Sequence, residues 1–144
     1  MPGRRDAQVA IATGAPARQA AVVARRFASE GARVALLDVQ DEKGAELADR
    51  IARDGGDAFF QHCDVSVEAD VARAVAAAVA RFGGLDVLYN NAAVIRYGRK
   101  IAELPVDEWD RTLAVNLRGP FLCAKHALPH LVARGGGASV NLSS

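Results

Sequence analysis

The feature that most constrains this chain is an alternation of short apolar runs with longer stretches whose apolar residues recur at helical spacing. Residues 8–13 (QVAIAT) form the first run and stop at Gly14, as a buried strand entering a turn does. Ala20, Val23, Ala24 and Phe27 then repeat at helical spacing, and Gly31 suits the residue that closes a helix. Residues 33–38 (RVALLD) read as a second buried strand ending on an acid. Asp41 is placed to cap the next helix, with Leu47, Ala48 and Ile51 on its inner face and Gly55 and Gly56 after it. Residues 57–65 read as a third strand. Ser66 is placed as a cap, and Val67, Val71, Val75, Ala78 and Phe82 form an apolar stripe. Gly83 and Gly84 end that helix, and residues 85–89 (LDVLY) are a fourth strand. A loop over 90–105 leads to a helical stretch from about Asp107, interrupted near Gly119 and Pro120 and resuming toward Leu131. A glycine turn at 135–137 and a fifth strand at 138–143 complete the pattern.

Strands alternating with helices of this length make parallel βαβ units, whose right-handed crossovers place helices on both faces of one sheet. The expected fold is α/β: a Rossmann-type, doubly wound parallel sheet of five strands. Its 144 residues suffice for one domain with a real core. Eighteen basic and seventeen acidic side chains leave a formal charge of +1, and the arginines are spread among acids. That balance argues against a nucleic-acid or membrane-surface partner. The longest apolar run, 74–80, is mostly alanine and far short of a membrane span. Cys63 and Cys123 belong to no ligand motif and are expected to be free thiols in a reducing, cytoplasmic setting, although their spacing leaves a bridge open.

In such a sheet, ligands bind beyond the carboxyl ends of the strands, where strand order reverses. Gly14, Asp38, Asp64 and Asn90 each stand at or just after a strand end, so they share one rim. A loop that cradles a pyrophosphate uses glycines for a tight turn, for close approach of backbone to phosphate and for helix–strand packing. The stretch Thr13, Gly14, Ala15, Pro16, Ala17, Arg18, Gln19, Ala20 supplies only the first of these.

The ordered set of motifs resembles the short-chain dehydrogenase/reductase family, from about Gln8 to Ser144. Thr13, Gly14 and Ala15 start the family's T-G-x-x-x-G-x-G loop, and Phe27 with Glu30, Gly31 and Ala32 continues it, which puts Arg18 and Ala20 where the second and third glycines belong. The family's Asn-Asn-Ala-Gly stands here as Asn90, Asn91, Ala92, Ala93. Cys63, Asp64 and Val65 look like its adenine-contacting segment. Residues 115–119 (VNLRG) resemble its active-site Asn segment, and 136–144 (GGASVNLSS) its fifth strand ending on a catalytic Ser.

The resemblance implies an oxidoreductase that passes hydride between a nicotinamide and an alcohol or carbonyl carbon. Thr13, Gly14, Arg18, Asp38, Asp64, Val65, Asn90 and Ala92 are the expected cofactor-binding residues, and Asn116 and Ser144 the expected catalytic ones. A carboxylate at Asp38 can accept both ribose hydroxyls and would repel a 2′-phosphate, so NAD is expected over NADP. Arg18 would crowd the pyrophosphate, with added strain if its backbone needed positive φ, or its guanidinium would pair with the phosphates. Weak cofactor binding is the expectation. The family's general acid/base is a Tyr with a Lys four residues on, because an unassisted phenol, with a pKa near ~10, is a poor base at neutral pH. Neither Tyr89 nor Tyr97 has such a lysine. His126 and His130 share a helix face without a third ligand, and Trp109 and Phe121 are expected in helix packing.

Residues 1–144 are thus expected to be the incomplete cofactor-binding part of a dehydrogenase, inactive alone and ending at its fifth strand. An open edge there would make it marginally stable or self-associating. A homo-oligomer acting on a small alcohol or carbonyl compound is expected of the complete protein. The alternative is a non-catalytic nucleotide-binding or interaction protein derived from the same fold.

Overall fold

Alternation of side chains along each strand decides which residues meet which helices. The computed structural model describes residues 8–95 and 98–143. It contains strands β1 (Val9–Thr13), β2 (Arg33–Asp38), β3 (Asp57–His62), β4 (Val87–Asn90) and β5 (Ala138–Asn141) in one sheet of order β3-β2-β1-β4-β5. Every pairing is parallel: Thr13 stands opposite Leu37, Ala12 opposite Tyr89, and Asn90 opposite Asn141. β1 and β4, which are far apart in sequence, are neighbours, so the direction of winding reverses between them.

Helices α1 (Arg18–Ser29) and α2 (Asp41–Arg53) cover one face. Their core is small: Ala12, Ala15, Ala20, Ala24, Ala28 and Ala32 pack with Val34, Leu36, Leu47, Ile51 and Tyr89. Such short side chains let α1 lie close to the sheet. Helices α3 (Glu68–Phe82) and α5 (Gly119–Ala133) cover the other face, where Ile11, Leu37 and Leu88 meet Val71, Val75, Phe82, Leu122 and Leu131. Helix α4 (Val106–Leu113) joins α5 through a π turn, Ala114–Arg118. Among the described residues, no helix is long and apolar enough to cross a membrane.

Several local expectations are corrected. Asp41 is the first residue of α2 and caps nothing; its Oδ1 is hydrogen-bonded to His62 Nδ1 at 2.6 Å. Ser66 lies before the start of α3 and directs its hydroxyl to Asp64 instead. Val67 is half-exposed and outside the stripe. β3 stops at His62, since Cys63 donates its amide to the Asp38 carbonyl and the chain then turns. The interruption expected near Gly119 and Pro120 is the π turn just before them. Trp109 and Phe121 are not packed inside: they are 49% and 61% exposed. Cys63 and Cys123 are free and buried, and burial pushes both thiols up to about 12.

Candidate functional site

A cleft of about 510 Å³ opens at the carboxyl ends of the strands, over the reversal between β1 and β4. Of the residues singled out in the sequence, Gly14, Asp38, Asp64, Val65 and Ala92 line it. Ala17, Gln19, Gln40, Asn91, Val94, Arg111, Val115 and Ser143 also line it and were not among the expected site residues, although Ala17, Gln19, Asn91, Val115 and Ser143 stand within the motifs quoted above.

The β1–α1 turn is shaped by one glycine. Gly14 has φ +64°, a conformation that side chains disfavour. A Cβ there would stand 2.8 Å from the Cα of Ala92 and 3.0 Å from its amide nitrogen. The β4 loop therefore comes down onto bare backbone. Thr13, buried beneath it, holds that loop: the Asn91 and Ala92 amides both donate to its Oγ1 at 3.1 Å. Asn91 Nδ2 donates to the Gly14 carbonyl at 3.3 Å. Thr13 thus supports the cleft from below rather than facing into it.

Helix α1 then begins without a side-chain cap and without an acid in its first turn. α2, α3 and α4 each carry two acids there. The free amides at the start of α1 and its helix dipole accordingly favour an anion. Arg18 is the first residue of this helix and exposed, so the positive-φ strain considered from the sequence does not arise, and its side chain is not part of the cleft lining. Ala20 is fully buried in the alanine-rich layer, where its methyl fits.

Asp38 ends β2 at the rim, but its Oδ1 accepts the Gln40 amide at 2.8 Å, closing a turn of its own backbone. Asn90 lies in the sheet and does not line the cleft. It is 4% exposed, its Nδ2 donates to Asn141 Oδ1 at 2.8 Å, and its own Oδ1 has no hydrogen-bond partner among the described residues.

The opposite wall follows β3. Asp64 Oδ1 accepts the Ser66 amide at 2.9 Å and the Ser66 hydroxyl at 2.6 Å. Arg111, reaching over from α4, places Nη1 2.8 Å from Ser66 Oγ and Nη2 3.2 Å from Asp64 Oδ2. Burial works against the Asp64 carboxylate, but the Ser66 donors and the Arg111 guanidinium outweigh it and hold its pKa below the ordinary 3.8. Val65 packs onto Gly119, where a Cβ would come within 2.8 Å of Val65 Cγ2.

Asn116 sits in the π turn, a distortion frequent at functional sites. Its side-chain amide pairs with one backbone unit as a neighbouring strand would: Oδ1 accepts the Val94 amide and Nδ2 donates to the Val94 carbonyl, both at 2.8 Å. It fixes the loop that lines the cleft without lining the cleft itself. Ser144 lies outside the described residues, as does Tyr97. His126 is bonded to Glu68 Oε1 at 3.0 Å, alongside Lys125 at 2.6 Å, and so ties α5 to α3.

Arg111 had no signal in the sequence: it is one of many arginines in the chain and stands alone on the amphipathic helix α4. Of the others, Gln40 and Val94 follow the ends of β2 and β4, where no motif marked them.

Comparison with known proteins matches residues 19–144 to a family model described as enoyl-(acyl carrier protein) reductase. The chain is 41% identical to an uncharacterised oxidoreductase of Bacillus subtilis over 99% of its own length and 52% of that protein's. It is 39% identical to a D-threitol dehydrogenase of Mycolicibacterium smegmatis over 98% of its length and 54% of that protein's. The chain therefore spans about half the length of the curated relatives it matches. A solved metagenomic short-chain oxidoreductase in complex with NADP superposes with a TM-score of 0.92 at 36% identity, covering 96% of this chain and 63% of that one. This finding overturns the expectation of NAD over NADP. The expectation rested on Asp38 alone, and an acid at the end of a strand can also serve its own backbone, as Asp38 does by accepting the Gln40 amide, so its place in the sequence did not identify it as a ribose acceptor.

Proposed function

This chain belongs to the short-chain dehydrogenase/reductase family, and on that premise we propose that it carries the dinucleotide site of an oxidoreductase acting on a small alcohol or carbonyl compound. The observation that carries the reading is the start of α1: uncapped, free of acids and opening on a cleft at the strand-order reversal. The residues fit such a group, because Gly14 leaves its backbone bare and the cleft volume falls in the ~300–1,000 Å³ range of small-molecule sites. The dinucleotide is NADP, the cofactor of the similar metagenomic enzyme.

In this reading the α1 amides and Arg18 hold the pyrophosphate. Asp38, Asp64 and Val65 form the adenosine half, because they line the cleft at and just beyond the ends of β2 and β3. Ala92 and the loop beyond it form the nicotinamide half, held from behind by Thr13, Asn90 and Asn116. When bound, the nicotinamide supplies or accepts hydride, and Ser144 and Asn116 orient the substrate oxygen and a water. The 144 residues contain no tyrosine with a lysine four positions on, so this stretch alone binds cofactor without turning over substrate. Trp109, Leu113, Leu117, Phe121, Leu128 and Val132 are exposed along α4 and α5, which supports assembly with further copies.

Calorimetric titration of the full-length protein with NADP and NAD tests the reading. Saturable binding of NADP, tighter than NAD, is expected. Absence of binding to either dinucleotide would sink the reading; tighter binding of NAD would reject the cofactor assignment alone.

A further inference from the structure

Arg111 enters the cleft from the far side, on a helix that follows β4, yet its guanidinium is spent on residues that follow β3. The segment Asp64–Val67 is a turn closed by the Val67 amide on the Asp64 carbonyl at 3.0 Å, and it is held from two further directions. From α3, Asp70 Oδ2 accepts the Asp64 amide at 3.1 Å. From the α4 side, Arg111 bridges Ser66 Oγ and Asp64 Oδ2, and Arg118 donates to the Ser66 carbonyl at 3.2 Å. Arg111, Val115 and Arg118 share one face of this rod, with buried Val115 between the two arginines and also lining the cleft.

An ionised carboxylate offers about four acceptor sites. Asp64 uses two on Ser66 and one on Arg111, which leaves one on the carboxylate that lines the cleft. Such a group accepts from an N–H donor and repels a carbonyl oxygen. Which way the remaining lone pair points depends on Arg111, since the planar guanidinium fork fixes Oδ2 and the Ser66 hydroxyl together.

We propose that Arg111 is a positioning residue for the adenosine half of the cofactor: it locks the Asp64 carboxylate so that the free acceptor meets a 6-amino purine and turns away a 6-oxo purine. This rests on the reading of the cleft as a dinucleotide site. Arg111 acts through Asp64 and does no chemistry.

The test compares binding of NADP with binding of its hypoxanthine analogue, in which the 6-amino group is replaced by oxygen. The full-length protein, Arg111→Gln, Arg111→Lys, Asp64→Asn and the double variant Arg111→Gln/Asp64→Asn are titrated, each checked for folding by thermal denaturation. The unsubstituted protein is expected to prefer the amino form by about tenfold or more. Arg111→Gln should lose most of that preference, chiefly by weakening the amino form. Arg111→Lys, which keeps the charge without the fork, should recover only part of it. The double variant should be no worse than Asp64→Asn alone, because Arg111 acts through that carboxylate. If Arg111→Gln leaves the preference intact, or weakens both forms by the same factor, the positioning role is wrong while the dinucleotide site stands. If the unsubstituted protein binds neither form, the site reading fails and this inference with it.

Discussion

The two walls of the cleft are built by opposite means. Along β1 and the start of α1, bare backbone and small residues dominate: Gly14 has no side chain, Ala15 and Ala20 are buried, and Ala17 and Gln19 complete the lining. Along β3 and α4, side chains are everything: Asp64, Ser66 and Arg111 interlock, and the backbone between them turns as they dictate. The bare wall is specified by sterics, which tolerate no addition. The charged wall is specified by hydrogen bonds and ionisation, which depend on solution conditions.

The sharpest way to break this contrast is to add one methyl group to the bare wall. Gly14→Ala imposes left-handed backbone on a Cβ and drives it into the backbone of Ala92. The expected loss is about 3 kcal/mol of stability, read by chemical denaturation, together with loss of dinucleotide binding. An unfolding midpoint equal to that of the unsubstituted protein would show that the turn yields, and that sterics do not define this wall.

Next in size is Thr13→Val, which keeps the shape and removes the acceptor of two amides. Leaving buried donors unmet costs about 1–3 kcal/mol, while Thr13→Ser should recover most of that. The Asn91 and Ala92 amides should also exchange with solvent faster, which hydrogen exchange measures. Equal stability of the Val and Ser variants would mean that packing, not the hydroxyl, holds the loop.

The smallest effect, and the one that isolates the charged wall, is acid sensitivity. The Asp64 pKa is lowered in the folded state, so its contribution is present above the unfolded value near 3.8 and is lost as pH falls through the lower folded value. The groups around it are Ser66, Arg111 on α4, Asp70 and its partner Arg73 on α3, and His62 on β3. Asp64→Asn should cost about 1 kcal/mol at neutral pH and flatten the acid limb of the stability curve. An unchanged slope would remove Asp64 from the groups that govern acid unfolding.

The sheet was legible because its signal is repeated: β1, β2 and β4 are buried runs, and each helix that covers them shows its own apolar period. The caps at Asp41 and Ser66 were misread because both side chains had another partner that won: His62 on β3 for Asp41, and for Ser66 both Asp64, two residues back, and Arg111 of α4. Local capping rules cannot see a competitor that only the fold brings near. The same limit explains the site. Gly14 and Asp64 announce themselves by standing at strand ends, whereas Arg111 earns its place only after the chain brings α4 against the β3 turn. Asn90 illustrates the reverse: its strand-end position pointed to the cleft, and register with Asn141 took its side chain into the sheet instead.

The π turn at Ala114–Arg118 works as a spare link in a chain. It closes i→i+5 bonds in place of i→i+4, so it takes up one more residue than an α turn while the helix on either side keeps nearly its phase. Deleting a single residue from that turn would leave α5 nearly in place, with Gly119 still against Val65. It would close the widened turn in which Asn116 stands, and the alignment of that side chain with Val94 would be lost. The irregular turn is therefore a tether: one residue is released from the helical ladder to tie down the loop after β4, and the packing of α4 and α5 on either side is kept.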